Sequence, residues 1–254
     1  MLYDKTLQKH IRCKVGDIAP YVLIPGDPGR AKRIAERFDE AEKIAENREY
    51  VVYTGYKDGV RLSVCSTGIG GPSAAIAVEE LANLGAHTFI RVGSAGARRE
   101  DIPIGSVVIV NAAVREEGTS HEYLPSIYPA IADFHVTLAL KEVAEEKLKD
   151  EKFFIGVSLT RDAYYMQNNE LNNILLNTDV VVSEMECATV FIVGSKRRLR
   201  VGAIVGTDSN ILLKKQLTLD EKERLFYQAE KKVIDIAIDA LVNLSKKEND
   251  NPAV

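Results

Sequence analysis

The chain has 254 residues, a formal net charge of −4, 46% hydrophobic and 28% charged residues. At about 150 residues per domain, that length suits one large α/β domain or two small ones. The composition excludes a disordered chain, which could not bury enough apolar surface to offset its ordering entropy, and a chain of this size needs no disulfide or metal staple.

Taken in order, short apolar runs alternate with helical patterns. Tyr21 to Ile24 reads as a buried strand and Gly29 to Arg37 as the helix after it. Arg61 to Cys65 is a second strand, followed by Gly-Ile-Gly-Gly-Pro and an apolar helix from Ser73 to Leu84. Thr88 to Val92 is a strand that ends on Gly-Ser-Ala-Gly, and Val107 to Val110 is a β-branched strand. Ala132 to Lys149 reads as an amphipathic helix, Phe153 to Val157 as a strand, and Val180 to Ser183 as a strand entering a helix near Cys187. Val201 to Val205 is the last inner strand. Thr218 with Glu221 three residues on is a capping-box start for a C-terminal helix to about Lys246. Strand–helix alternation over the whole length predicts an α/β fold, with a mixed central β-sheet flanked by helices. No compositional shift marks a linker, so residues 1–254 are expected to form a single domain.

Other partners are argued against. No long basic stripe is present, which speaks against nucleic acid; the cluster Lys196-Arg197-Arg198-Leu199-Arg200 reads as a solvated helix end. Cys13, Cys65 and Cys187 are odd in number and far apart, which indicates neither a disulfide framework nor a zinc site. A reducing cytoplasm is the expected setting. The first ten residues lack a signal-peptide apolar core, and no apolar run approaches the ~20 residues that span a bilayer.

In α/β sheets ligands sit beyond the carboxyl ends of strands, and five polar clusters lie there. Gly26-Asp27-Pro28-Gly29-Arg30 joins close backbone approach to a helix start and a planar cation, although a plain Pro-Gly turn has the same residues. Thr67 to Ser73 has the look of a dinucleotide loop, but Ser73 replaces its third glycine and the next strand carries Arg91 rather than an acid. Arg91-Val92-Gly93-Ser94-Ala95-Gly96 puts an arginine in an apolar strand, where it needs an anion or an internal carboxylate. Ser183-Glu184-Met185-Glu186 brings two carboxylates to a strand–helix junction, suited to paired sugar hydroxyls or to the helix dipole alone. Asp208, in Gly206-Thr207-Asp208-Ser209-Asn210, is a general-acid candidate or a turn residue. His10, His87, His121 and His135 have no metal-ligand spacing.

Together these residues resemble the nucleoside phosphorylase family of the hexameric or trimeric type, closest to its uridine phosphorylase branch. The likeness runs from about His10 to the C-terminal helix. It rests on Gly26 to Arg30, Asn47-Arg48-Glu49-Tyr50, Ser66 to Ser73, Arg91 to Gly96, Tyr128 to Phe134 and Glu184-Met185-Glu186. It implies phosphorolysis of a nucleoside, uridine first, by inorganic phosphate to the free base and a pentose 1-phosphate. Phosphate is then a co-substrate, and no organic cofactor is needed. By the same likeness Gly26, Arg30, Arg91, Ser94 and a neighbouring subunit's Arg48 bind phosphate. His10, also from the neighbour, joins Glu184, Met185 and Glu186 on the ribose. Tyr164, Gln167 and Arg161 take the base, and Asp208 is the residue that acts on it in a purine reading. Glu49, Ile69 and Ser73 match a potassium site at a dimer interface. A homo-oligomer with shared sites, a hexamer built as a trimer of dimers, is implied, as is a role in nucleoside salvage. The alternatives are a purine nucleoside or methylthioadenosine phosphorylase, a nucleosidase, and a non-catalytic nucleoside-binding module.

Overall fold

Apolar runs buried on both faces dictate the centre of this molecule. A computed structural model describes residues 7–166, 168–210, 212–213 and 217–250. In chain order the elements are β1 (Tyr21–Pro25), α1 (Pro28–Ala35), β2 (Glu40–Asn47), β3 (Tyr50–Lys57), β4 (Val60–Cys65), α2 (Gly71–Asn83), β5 (Thr88–Ala97) and β6 (Val107–Glu116). Then come α3 (Thr119–Tyr123), β7 (Ala130–Ile131), α4 (Phe134–Leu148), β8 (Phe154–Arg161), α5 (Asn169–Leu175), β9 (Val180–Glu184), α6 (Cys187–Arg197), β10 (Arg200–Asn210) and α7 (Leu219–Asp250).

The strands form one mixed sheet ordered β10-β6-β8-β9-β5-β1-β4-β3-β2. Because β10 also pairs with β5, the strands β10, β6, β8, β9 and β5 close on themselves. Strand β1 lies parallel between β4 and β5, in the register Ile24↔Arg91. Its alternate side chains serve two cores, as the period of two requires. Val22 and Ile24 pack with α2 and α6, and Tyr21 and Leu23 pack with α1, α4 and α7.

The expected α/β architecture is present, and several boundaries moved. Strand β5 continues to Ala97, so Gly93 to Gly96 is extended chain rather than a loop. The reason is pairing: β10 runs parallel beside it from Thr88 to Ala97. Strand β10 likewise continues to Asn210, with a register shift between Thr207 and Ser209. Asp208 therefore sits at a bulge, the device by which strands re-aim a side chain. The capping box at α7 forms as expected, with Thr218 N–H donating to Glu221 Oε2 at 2.8 Å and Glu221 N–H to Thr218 Oγ1 at 3.3 Å. No described helix is long and apolar enough to cross a membrane.

Candidate active site

The carboxyl ends of β1, β5, β9 and β10 converge on a cavity of about 760 Å³. It is lined by Gly26, Arg30, Ile69, Arg91, Ser94, Arg161, Tyr164, Glu184, Met185, Glu186 and Asp208, eleven of the residues singled out from sequence.

The first loop is a capped helix start. Asp27 accepts from the backbone N–H groups of Gly29 and Arg30, at 2.9 and 2.8 Å. Burial would raise its pKa, but those donors and the cations of Arg33 and Arg30 hold its carboxyl below the ordinary range. The second loop is stitched onto the first. Thr67 N–H donates to Pro25 O at 2.8 Å and Gly68 N–H to Gly26 O at 3.0 Å. Gly68 has φ +70, and a Cβ there would meet Glu49 Cγ at 2.8 Å, so both conformation and space demand glycine.

Arg91 and Glu186 form the centre. Arg91 Nη2 lies 2.6 Å from Glu186 Oε2 and 3.1 Å from Glu184 Oε2, with all three side chains buried. Gly93 makes the room, since a Cβ there would come within 2.9 Å of Arg91 Nη2. Burial opposes the charge on Arg91, but the carboxylates of Glu186 and Glu184 more than offset it and the guanidinium stays protonated. Burial pushes the Glu186 carboxyl above the ordinary range; Arg91 opposes that and Glu184 reinforces it. Glu186 is held on its other side by the Gly70 N–H at 2.5 Å.

Glu184 is differently placed. Its oxygens accept from Ser158, Thr160, Arg91 Nε and the backbone N–H groups of Glu186 and Cys187. Five protein donors surround it, so it fixes Arg91 and the start of α6, and Glu186 is the carboxylate better free to meet a ligand.

The cavity wall also carries Arg161, Tyr164, Tyr165, Asp208 and Ser209. Tyr164 and Tyr165 are exposed and meet edge to face at 5.0 Å between ring centres, an aromatic surface with one side open. Arg161 donates to the Met166 carbonyl. The Ser209 hydroxyl donates to Asp208 Oδ1 at 2.7 Å. Gln167 lies outside the described residues.

Sequence reasoning passed over Arg98, which lines the cavity, is 3% exposed and donates to Asn172 Oδ1 at 2.9 Å. It follows β5 in a run of charged residues that reads as surface, and only the closed sheet buries it. Burial, with Arg161 nearby, lowers its pKa, and Glu116 opposes.

Three groups lie away from this cavity. His10 Nδ1 is 2.6 Å from Glu80 Oε1. Arg48 occupies the β2–β3 turn at φ 57. Glu49 and Ser73 stand behind the Gly68–Gly70 loop, where the Ser73 hydroxyl donates to the Ile69 carbonyl at 3.1 Å.

Residues 20–243 match the family model of the Phosphorylase superfamily. The chain belongs to that superfamily. A uridine phosphorylase of Treponema pallidum is 46% identical over 81% of this chain and 83% of its own length. A guanosine phosphorylase of Halorubrum lacusprofundi is 39% identical over 93% of this chain and 99% of its own. The crystal structure of uridine phosphorylase from Vibrio fischeri superposes with a TM-score of 0.87 at 35% identity, covering 94% of this chain and 98% of that one. The sheet order and helix layers described above are thus those of a phosphorylase fold.

Proposed function

We propose that this chain is a pentosyltransferase that phosphorolyses a nucleoside, uridine first, to free base and pentose 1-phosphate. One observation carries the reading: Arg30, at the start of α1 after β1, and Arg91, within the adjacent parallel strand β5, line the same cavity as Glu186 and an aromatic rim.

Phosphate binds at the Arg30 and Arg91 end, with Gly26 and the Ser94 hydroxyl beside them. Arginine forks position an anion and spread its charge. The ribose lies against Met185 with its hydroxyls on Glu186, and the base stacks at Tyr164, with Arg161 at its edge. As the C1′–N bond breaks, its electron pair leaves with the base and positive charge builds on the sugar carbon, as in glycoside hydrolysis. The phosphate dianion stabilises that charge, and one of its oxygens then bonds C1′. The departing base takes up a proton or is held as an anion by hydrogen bonds. Exclusion of water keeps hydrolysis from competing.

The site is completed across an interface. Arg48 and His10, which lie away from their own cavity, reach the phosphate and the ribose of a second copy, in a hexamer of three dimers. Glu49 of the β2–β3 turn, the Ile69 carbonyl and the Ser73 hydroxyl of α2 come together around Gly68, a donor set that suits a hard cation such as potassium. When bound, that ion would brace the loop between subunits. Three free, buried cysteines suit a cytoplasmic salvage enzyme.

A second reading is a purine substrate. Asp208 supports it, because this residue sits at the β10 bulge and lines the cavity. The deciding assay incubates the protein with uridine, thymidine, inosine, guanosine, adenosine and methylthioadenosine, with and without phosphate. Phosphate-dependent loss of uridine is expected. Faster loss of inosine or guanosine would establish the purine reading, and equal turnover without phosphate would overturn phosphorolysis.

A further inference from the structure

Arg30 is not free to choose its orientation. Its Nε donates to Glu230 Oε2 at 2.6 Å and its Nη1 to the Val92 carbonyl at 3.2 Å. The guanidinium also lies over the Phe226 ring, 5.4 Å from its centre. No other protein acceptor meets the Arg30 guanidinium among the described residues, so the Nη2 end is left for the cavity that Arg30 lines. Glu230 itself is 2% exposed and lies on α7, two hundred positions along the chain. It also accepts from Arg33, at 2.6 Å through Nε and 3.1 Å through Nη2. One buried carboxylate thus serves two cations.

We infer that Glu230 is a positioning residue for the phosphate site: by clamping the Nε side of Arg30, it presents the terminal N–H groups to the anion. The clamp suits a mobile ligand. A buried arginine needs a permanent counter-charge, and one bound at Nε leaves Nη2 of Arg30 for the anion. Glu230 neutralises the side chain from the far side and leaves the anion-facing edge open. The C-terminal helix, which supplies none of the cavity residues named above, therefore controls phosphate affinity. The inference rests on the phosphorolysis reading.

Its test uses Glu230→Gln, which keeps an acceptor oxygen but removes the charge, with Glu230→Ala beside it. Arg33→Met is the control, because Arg33 shares the carboxylate but is absent from the cavity lining. In Glu230→Gln the phosphate KM rises about ten- to a hundredfold, while the uridine KM stays within about twofold. Arg33→Met leaves the phosphate KM within about twofold. Titration of each protein with inorganic phosphate, followed by calorimetry, reads the same loss without turnover. A wild-type enzyme that phosphorolyses uridine alongside a Glu230→Gln enzyme with unchanged phosphate KM overturns this inference alone. Equal rises for phosphate and nucleoside, or a matching rise in Arg33→Met, reduce Glu230 to a structural anchor. A wild-type protein with neither phosphate binding nor phosphate-dependent turnover overturns the functional reading, and this inference with it.

Discussion

Arg91 and Glu186 meet at 2.6 Å with both side chains buried, while Glu184 braces the same guanidinium from its Nε side. One cation thus holds two carboxylates in the cavity wall, and removing it strands both. Arg91→Met should cost about 3–5 kcal/mol of stability, the usual penalty for a buried charge left alone. It should also cut phosphate-dependent turnover by more than about a hundredfold. Chemical denaturation and initial rates read the two effects, and a stable variant with normal phosphate KM would remove Arg91 from the anion site.

Glu186 gives the molecule a pH signature. Its carboxyl keeps its proton to a higher pH in the folded state than its ordinary value of 4.5. Unfolding then releases a proton, so stability falls as pH rises from about 4.5 through the raised value. Glu186→Gln should lose that slope, and should turn over nucleoside far more slowly. Urea unfolding of both proteins at a series of pH values makes the comparison; parallel profiles would mean that Glu186 titrates like a solvated glutamate.

Asp27 caps α1 and braces Arg33 at 3.1 Å. Asp27→Ala should cost about 1 kcal/mol from the lost cap, measured as a lower denaturation midpoint, and should raise the phosphate KM because the Arg30 backbone is no longer pinned. The depressed carboxyl contributes stability that is full above its ordinary range and fades as pH falls through its lowered value.

Arg98 sits buried with Nε lacking an acceptor and with Arg161 adding to its charge. Arg98→Met should stabilise the fold by about 1–3 kcal/mol, since an incompletely paired buried cation is replaced by apolar bulk. A thermal melt reads the gain, and a lower melting temperature would contradict it.

The proposed sharing of sites between subunits predicts complementation. Arg48→Ala and Arg91→Ala should each be inactive alone, and a refolded mixture should regain a measurable fraction of turnover through hybrid interfaces. No recovery, with mixed oligomers demonstrated, would return Arg48 to a surface role.

Local chemistry is what the sequence carried by itself. Apolar runs set the strands, Thr218 with Glu221 set a helix start, and the Gly–Arg and Glu-Met-Glu clusters marked the cavity, because each depends on neighbours within a few residues. The β2–β3 hairpin escaped notice for the same reason: β2 is a charged edge strand with no buried alternation, and its partner decides it. Sheet closure and helix packing decided the rest. They buried Arg98, put the bulge at Asp208, surrounded Glu184 with donors, and brought Glu230 against Arg30. Which carboxylate meets which arginine is a matter of distance in the folded chain, and no local pattern encodes that distance.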